Sequence, residues 1–537
     1  MGGMAAETNQ SPSVGAEADQ GTRIGAFVLD SLTNGLYVVP LDTVREYVAN
    51  ARDSIVEAIR QKLITDRDGR ITLAIDTGSR TLAIKDSGVG ILSGHARRRL
   101  IDVGMSSKSA ERGDGRNIGF RGIGRLGGIA YCQTLEFRTS SAGEPVETVV
   151  RFDCQAVEKG ISTAGANPSL EAGVLLDSCV AFESIPAKKD DHFFEVRMIG
   201  IKPSVDEFLD VAALNRYLCQ SAPVGMDTQR WMLQGEIDRR AASSGLSVPV
   251  VKIVIERNKQ QSKEIFRPYK STYHTAKKGR IDIGGVKFIE PTKPGLGYWG
   301  WYGVSNLAGQ IDDPIAAGIR IRMQGMGFGG PDLMATVFRM AAVTSERFNG
   351  WYIGEIHITD PAVIPNARRD GFEETEAWAA IRNDLVIHAR ALSGACHKAS
   401  TARNASASKA KSIVDGVAEK AGLLRKTGIA SEGKRDEVLK DIEDTAATLE
   451  RIKGRAPGDE EAEGIDRELE RLRAAADQVR DNRNYASSEL ETGMDRGQKA
   501  LLRKILEALQ DTLDDATFTK AYEAIGKRLK AKRKKKG

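Results

Sequence analysis

Between Leu41 and Leu63 apolar residues return every three or four positions, and Val44, Val48, Ala51, Ile55 and Ile59 line up as the stripe of one helical face. Downstream the period falls to two. Ile71, Leu73 and Ile75 alternate with polar neighbours, a turn follows at Thr77-Gly78-Ser79, and a second strand through Leu82 and Ile84 ends on Asp86. Residues 104–128 are too dense in glycine for a regular element and read as a loop or lid. Strand-like patterns return at residues 134–139, 148–152, 250–255 and 351–358. Farther on, Val438, Ile442, Ala446, Leu449 and Ile452 recur at helical spacing, as do Ile465, Leu469, Leu472 and Val479, with Ala456-Pro457-Gly458 between the two runs. That arrangement predicts two helices folding back as a hairpin, followed by a further helix over roughly 498–513.

These patterns divide the 537 residues into a disordered leader (1–22), a mixed helix–strand unit (23–200), a second mixed unit (201–395), a helical, partly coiled-coil region (396–515) and a basic tail (516–537). A chain of this length exceeds one hydrophobic core. Its 41% hydrophobic and 28% charged residues exclude wholesale disorder. Five scattered cysteines without a Cys-x-x-Cys, and six histidines without a His-Glu-x-x-His, support neither a disulfide framework nor a zinc site. No apolar run approaches the length of a membrane span, and residues 1–23 lack the apolar stretch of a secretory signal, so a cytoplasmic protein without membrane contact is expected. The net charge of +5 is uneven. Lys527 to Lys536 hold eight basic residues, and +5 less 8 leaves −3 on the rest, so nucleic acid contact is assigned to the tail, with a solubilising terminus as the alternative.

Glu46, Asn50 and Asp53 fall on one narrow face of the first helix, opposite its apolar stripe, and taken alone this is a solvated face. The hairpin then delivers Asp86-Ser87-Gly88-Val89-Gly90 at a strand end, where a carboxylate followed by two glycines lets a flat ligand approach the backbone; its bland counterpart is an Asp–Gly turn. Gly119-Phe120-Arg121-Gly122-Ile123-Gly124 supplies backbone N–H groups suited to phosphates. Residues 122–127 also spell Gly-x-Gly-x-x-Gly. A dinucleotide site needs that loop directly after a strand with an acid about 20 residues on, whereas here a glycine-rich loop precedes it and Glu136 comes early. No Gly-x-x-x-x-Gly-Lys-Ser/Thr occurs.

In order, Glu-x-x-x-Asn-Ala-x-Asp, Asp-x-Gly-x-Gly and Gly-x-x-Gly-x-Gly resemble the nucleotide site of the GHKL ATPases, named for gyrase, heat-shock protein 90, histidine kinases and MutL. The step of eight positions from Leu36-Tyr37 to Arg45-Glu46 is similar to that of the heat-shock protein 90 branch. The resemblance implies an α/β-sandwich ATPase domain, an α/β middle domain and a helical, partly coiled-coil C-terminal region. It implies that Asp86 accepts the adenine amino group of ATP, that Gly88 and Gly90 border the base, and that Asn50 helps hold magnesium against the phosphates. Glu46 would orient and deprotonate the attacking water, and Gly119, Gly122 and Gly124 would wrap the phosphates. Lys108 is placed either on a phosphate or as a solvated loop lysine, and Asp53 in a water-mediated contact.

Farther along, Ile364-Pro365-Asn366-Ala367-Arg368-Arg369-Asp370 resembles the middle-domain loop of the same chaperones, which would bring Arg369 to the γ-phosphate; a surface loop with two arginines is the alternative. The family's closing Gly-Thr pair has no counterpart, since residues 191–196 read Asp-His-Phe-Phe-Glu-Val, and Gly-Phe-Arg-Gly at 119–122 is nearer to MutL. The resemblance therefore implies hydrolysis of ATP to ADP and phosphate by a chaperone-like conformational machine, a homodimer acting on a protein client. A DNA-linked GHKL ATPase of MutL or microrchidia type, in genome maintenance or defence against foreign DNA, is the alternative. A scaffold that binds ATP without turnover is a third reading, against which Glu46 stands.

Overall fold

The computed structural model describes residues 24–33, 39–102, 124–163, 170–243, 250–427, 429, 432–454, 459–481 and 487–534. The expected leader at 1–22 lies outside them.

The first unit opens with α1 (Phe27–Thr33) and α2 (Asp42–Arg60). Strands β1 (Arg70–Asp76) and β2 (Thr81–Asp86) form the antiparallel hairpin that the alternation predicts, with Ile71 opposite Asp86 and Asp76 opposite Thr81. Next come α3 (Ser93–Ile101), β3 (Thr134–Ser140), β4 (Val146–Asp153), α4 (Cys154–Thr163), α5 (Ala172–Ser178), β5 (Val180–Pro186), β6 (Phe193–Ile199), α6 (Val211–Ser221), α7 (Gln234–Ser243), β7 (Lys252–Arg257) and β8 (Gln260–Glu264). All eight strands share one sheet in the order β5-β4-β3-β6-β2-β1-β7-β8. Helix α2 lies on it because Val44, Val48, Ala51 and Ile55 enter the same core as Ile71, Leu73, Ile75, Leu82 and Ile84. Each of these valine, leucine and isoleucine side chains, fully buried, contributes about 1.5–3 kcal/mol.

This sheet corrects the boundary placed at residue 200. β7 runs parallel to β1, with Arg70 beside Lys252 and Ile75 beside Arg257, and β8 closes the edge. Parallel neighbours require a long crossover, which here passes through α6 and α7. The local pattern at 250–255 marks a strand and carries no information on which sheet receives it.

The second sheet comprises β9 (Thr272–His274), β10 (Arg280–Ile289), β11 (Tyr298–Ser305), β12 (Gly318–Met323), β13 (Met326–Phe328) and β14 (Ile353–Ile358), in the order β13-β12-β14-β11-β10-β9. Every residue of β14 is buried, because both faces of the sheet are covered. α8 (Asp332–Ala341) and α9 (Glu376–Thr427) cover one through Met334, Val337, Phe338, Trp378, Ile381 and Leu385, while Trp231, Tyr269, Tyr273 and Trp301 pack with α7 on the other. Inside this unit Glu355 is fully buried between Arg267 and Arg322, each at 2.6 Å, and accepts from the Tyr269 hydroxyl at 3.0 Å. Burial opposes the charge on Glu355, yet the two guanidinium groups overcome it and hold the carboxyl well below its usual range. Arg322 also donates to the carbonyls of Gln220, Ala222 and Gly325, joining the end of α6 to the second sheet.

Helix α9 runs without interruption from 376 to 427, so the helical region begins before the expected boundary at 396. α10 (Glu432–Lys453) and α11 (Asp459–Asp481) are the two helices of the expected hairpin, and Val438, Ile442, Leu449, Ile465, Leu469, Leu472 and Val479 share one core with Ala410, Val414 and Ala421 of α9. α12 (Arg496–Thr512) starts on a capping box between Asp495 and Gln498. The tail expected to be disordered from 516 is helical as far as it is described: α13 (Asp515–Lys534) places Phe518, Tyr522, Ile525 and Leu529 on one face, the last three packing with Leu502 and Leu506 of α12 while Phe518 is buried. The density of lysine hid that stripe. Among the described residues no helix is long and apolar enough to cross a membrane.

Candidate nucleotide site

Helix α2 is enclosed on two sides. Its apolar stripe faces the first sheet, and Ala49, fully buried, packs in the core of the second unit. The polar face holding Glu46 and Asp53 is consequently buried rather than solvated, with Glu46 only 6% and Asp53 only 3% exposed, and Asn50 is half-buried. Side chains of this kind are rarely placed in an interior without partners.

Asp86 ends β2, opposite Phe194 of β6. Its Oδ1 accepts from the N–H of Gly88 at 2.8 Å and of Phe194 at 3.3 Å. The loop that follows runs against α2, where Val89 N–H donates to the Ser54 carbonyl at 3.4 Å. A Cβ on Gly88 would overlap the Ser54 hydroxyl, and one on Gly90, whose φ is +67°, would overlap the Ser140 carbonyl. Both glycines are therefore required by close backbone approach. His192 Nδ1 donates to the Gly88 carbonyl at 2.9 Å, so the segment lacking a Gly-Thr pair braces this loop by another group.

Gly124 opens a 3-10 helix, Gly124–Ala130. Tyr47 of α2 anchors it by donating to the Arg125 carbonyl at 3.1 Å and accepting from Gly128 N–H at 3.0 Å. Lys108, Gly119 and Gly122 lie outside the described residues.

The loop carrying Arg369 follows β14 and is closed by a Pro365–Phe372 bridge and by Asn366 N–H donating to the Gly371 carbonyl at 3.1 Å. Arg369 has φ +55°, a left-handed conformation that costs a non-glycine residue about 1–3 kcal/mol and that clusters at functional positions. Its Nε lies 2.8 Å from Glu46 Oε1. One residue earlier, the Arg368 carbonyl accepts from Arg45 Nη2 at 2.9 Å, and Arg45 Nε is 3.8 Å from the same Glu46 oxygen. Glu46 thus sits between two guanidinium groups, one from each unit.

Sequence reasoning passed over Arg52, Tyr47, Ser54 and His192. None left a local signal: Arg52 stands out only once α2 is seen to be buried on both sides, and the others act through backbone contacts that no local pattern shows. The donor set suits a magnesium ion that arrives with a nucleotide. Asn50 offers one hard amide oxygen, and among the described residues no group of three or more His, Cys, Asp or Glu would hold a metal alone.

No protein family profile matches the chain. Two curated proteins are similar over part of it. Chaperone protein HtpG of Psychrobacter cryohalolentis is 30% identical over 141 residues, 24% of this chain and 21% of the relative; HtpG of Psychrobacter arcticus is 30% identical over 141 residues, 24% and 22% respectively. The match thus spans about a fifth of the length of each relative. It supports a distant relationship to heat-shock protein 90-type proteins, on a mixed α/β fold with two sheets and a helical C-terminal region.

Proposed function

We propose that this protein hydrolyses ATP to ADP and phosphate and uses the cycle to drive a chaperone-like movement of its second unit against its first. The observation that carries the reading is the Glu46–Arg369 pair, which joins the two motifs that the family resemblance assigns to one reaction. Asp86 accepts the adenine amino protons while its other bonds keep the Gly88 loop in place. Gly88 and Gly90 let the base lie against the backbone. Asn50 would hold a magnesium ion brought in with the phosphates, where it offsets their charge.

Glu46 is the general base for the attacking water, and Arg369 Nε pairs with its carboxylate at 2.8 Å. A γ-phosphate entering beside Arg369 offers the guanidinium a more highly charged, bidentate partner. Arg369 then stabilises the transferring phosphoryl group and leaves Glu46 free to take the water's proton. Phosphoryl transfer asks little more of a protein than positioning and charge. Both similar proteins are chaperones, which favours this reading over the DNA-linked one.

Calorimetry and steady-state turnover of the full chain test the proposal. The wild type should bind and hydrolyse Mg·ATP, and Glu46→Gln should keep the affinity while losing about 10²-fold or more in turnover. Absence of ATP binding by the wild type, or full turnover by Glu46→Gln, overturns it.

A further inference from the structure

Arg52 is 2% exposed and follows Ala51 on α2. Its Nη1 lies 3.0 Å from Asp53 Oδ1, and its Nη2 donates at 3.0 Å to Oε1 of Gln324, 272 positions away in the second unit. Gln324 and Gly325 are the two residues between β12 and β13, whose strands close on the Met323–Met326 pair. Their φ values of +52° and +81° are those of a tight primed hairpin turn, which favours Asn-Gly or Gly-Gly. A glutamine in that first position is costly for the backbone, and its side chain is what reaches α2. The turn is fixed from behind, since Arg322 donates to the Gly325 carbonyl at 2.8 Å while it is paired with Glu355.

We propose that Arg52 is a positioning residue that reads the docking of the second unit through Gln324 and sets Asp53 on the nucleotide face of α2. This rests on the ATP-site reading above and adds a second coupling point beside Arg369. The two points act differently. Arg369 supplies charge to the reaction itself, whereas the hairpin supplies a neutral acceptor that holds a buried guanidinium in one orientation. With the second unit displaced, Arg52 loses that acceptor inside a water-poor site, and its hold on Asp53 changes with it.

The test uses the full chain. Gln324→Gly removes the side chain and suits the positive φ, so it spares the turn; Gln324→Glu keeps an acceptor in reach; Arg52→Ser removes the guanidinium. Gln324→Gly should lower kcat for ATP by about tenfold with KM within about twofold, the pattern of an interaction made as the reaction complex assembles. Gln324→Glu should recover most of the rate, and the Arg52→Ser, Gln324→Gly pair should be no slower than the slower single variant. Hydrogen exchange at residues 318–328 should respond to Mg·ATP in the wild type and lose that response in Gln324→Gly. Additive losses, a defect confined to KM, or a nucleotide response unchanged in Gln324→Gly overturns this inference alone, because the wild type still turns over ATP in each case. A wild-type chain that binds no ATP removes the functional reading, and this inference falls with it.

Discussion

Arg369 Nε and Glu46 Oε1 are 2.8 Å apart although 323 positions of sequence separate them, while the neighbouring Arg368 contributes only its backbone carbonyl, to Arg45. Any residue at 368 supplies that carbonyl. Arg369→Ala should therefore retain ATP binding and lose about 10³-fold or more in turnover, as expected for an arginine brought to a transferring phosphoryl group. Arg368→Ala should change turnover little. A larger loss in Arg368→Ala than in Arg369→Ala would reassign the loop.

Asp86→Asn separates recognition from folding. The amide oxygen can still accept from the N–H groups of Gly88 and Phe194, so the loop should keep its shape. The amide nitrogen replaces an acceptor with a donor facing the adenine amino group, and the unpaired groups cost about 1–3 kcal/mol. Calorimetry should show weakened or lost ATP binding at an unchanged melting temperature. Wild-type affinity would take Asp86 out of the site.

Glu355 makes the second unit's stability depend on charge. Its carboxyl is held well below the usual carboxylate range in the folded chain, since Arg267 and Arg322 overcome the opposing effect of burial. A depressed folded-state pKa contributes stability that is fully present above the unfolded value and is lost as pH falls through the folded one. Glu355→Gln, which leaves two buried guanidinium groups without their counter-charge, should destabilise by about 3–5 kcal/mol at neutral pH. Denaturant titrations should show the gap between the two proteins constant from neutrality down to about pH 5 and narrowing below the carboxylate range. A gap that widens on acidification would contradict the assignment.

The basic end of the chain carries a separate proposal, contact with a polyanion. Lys527, Arg528 and Lys530 are exposed on α13, while Phe518, Tyr522, Ile525 and Leu529 hold the helix to the bundle. Replacing the three basic residues by serine preserves that stripe. Binding to duplex DNA across a salt series should weaken, and the log–log slope should shrink by up to about 2.7 if each charge neutralises one phosphate. Equal binding by both proteins at every salt concentration would leave α13 a solubilising terminus.

The elements legible in advance are those whose information is local. The three-to-four spacing of Val44, Val48, Ala51 and Ile55 specifies α2, the alternation of Ile71, Leu73 and Ile75 specifies β1, and the runs around 438–452 and 465–479 specify α10 and α11. The cluster of Asp86, Gly88 and Gly90 was legible as a tight turn after a strand, although the neighbours that require the two glycines, Ser54 and Ser140, are distant in sequence. What the sequence left open is pairing. β7 joins β1 rather than the second sheet and Gln324 meets Arg52, each across more than 150 positions, while an approach of Arg369 to the face of Glu46 was implied by the family resemblance alone and by no local pattern. Such contacts depend on how the faces of whole elements fit together. A residue's immediate neighbours set its helix or strand and the side it presents, and leave undetermined which distant surface arrives there. The burial of α2 on both sides illustrates the difference: the narrow face of Glu46 and Asp53 is polar and reads as solvated, and only the second unit, packed against Ala49, turns it into an interior face.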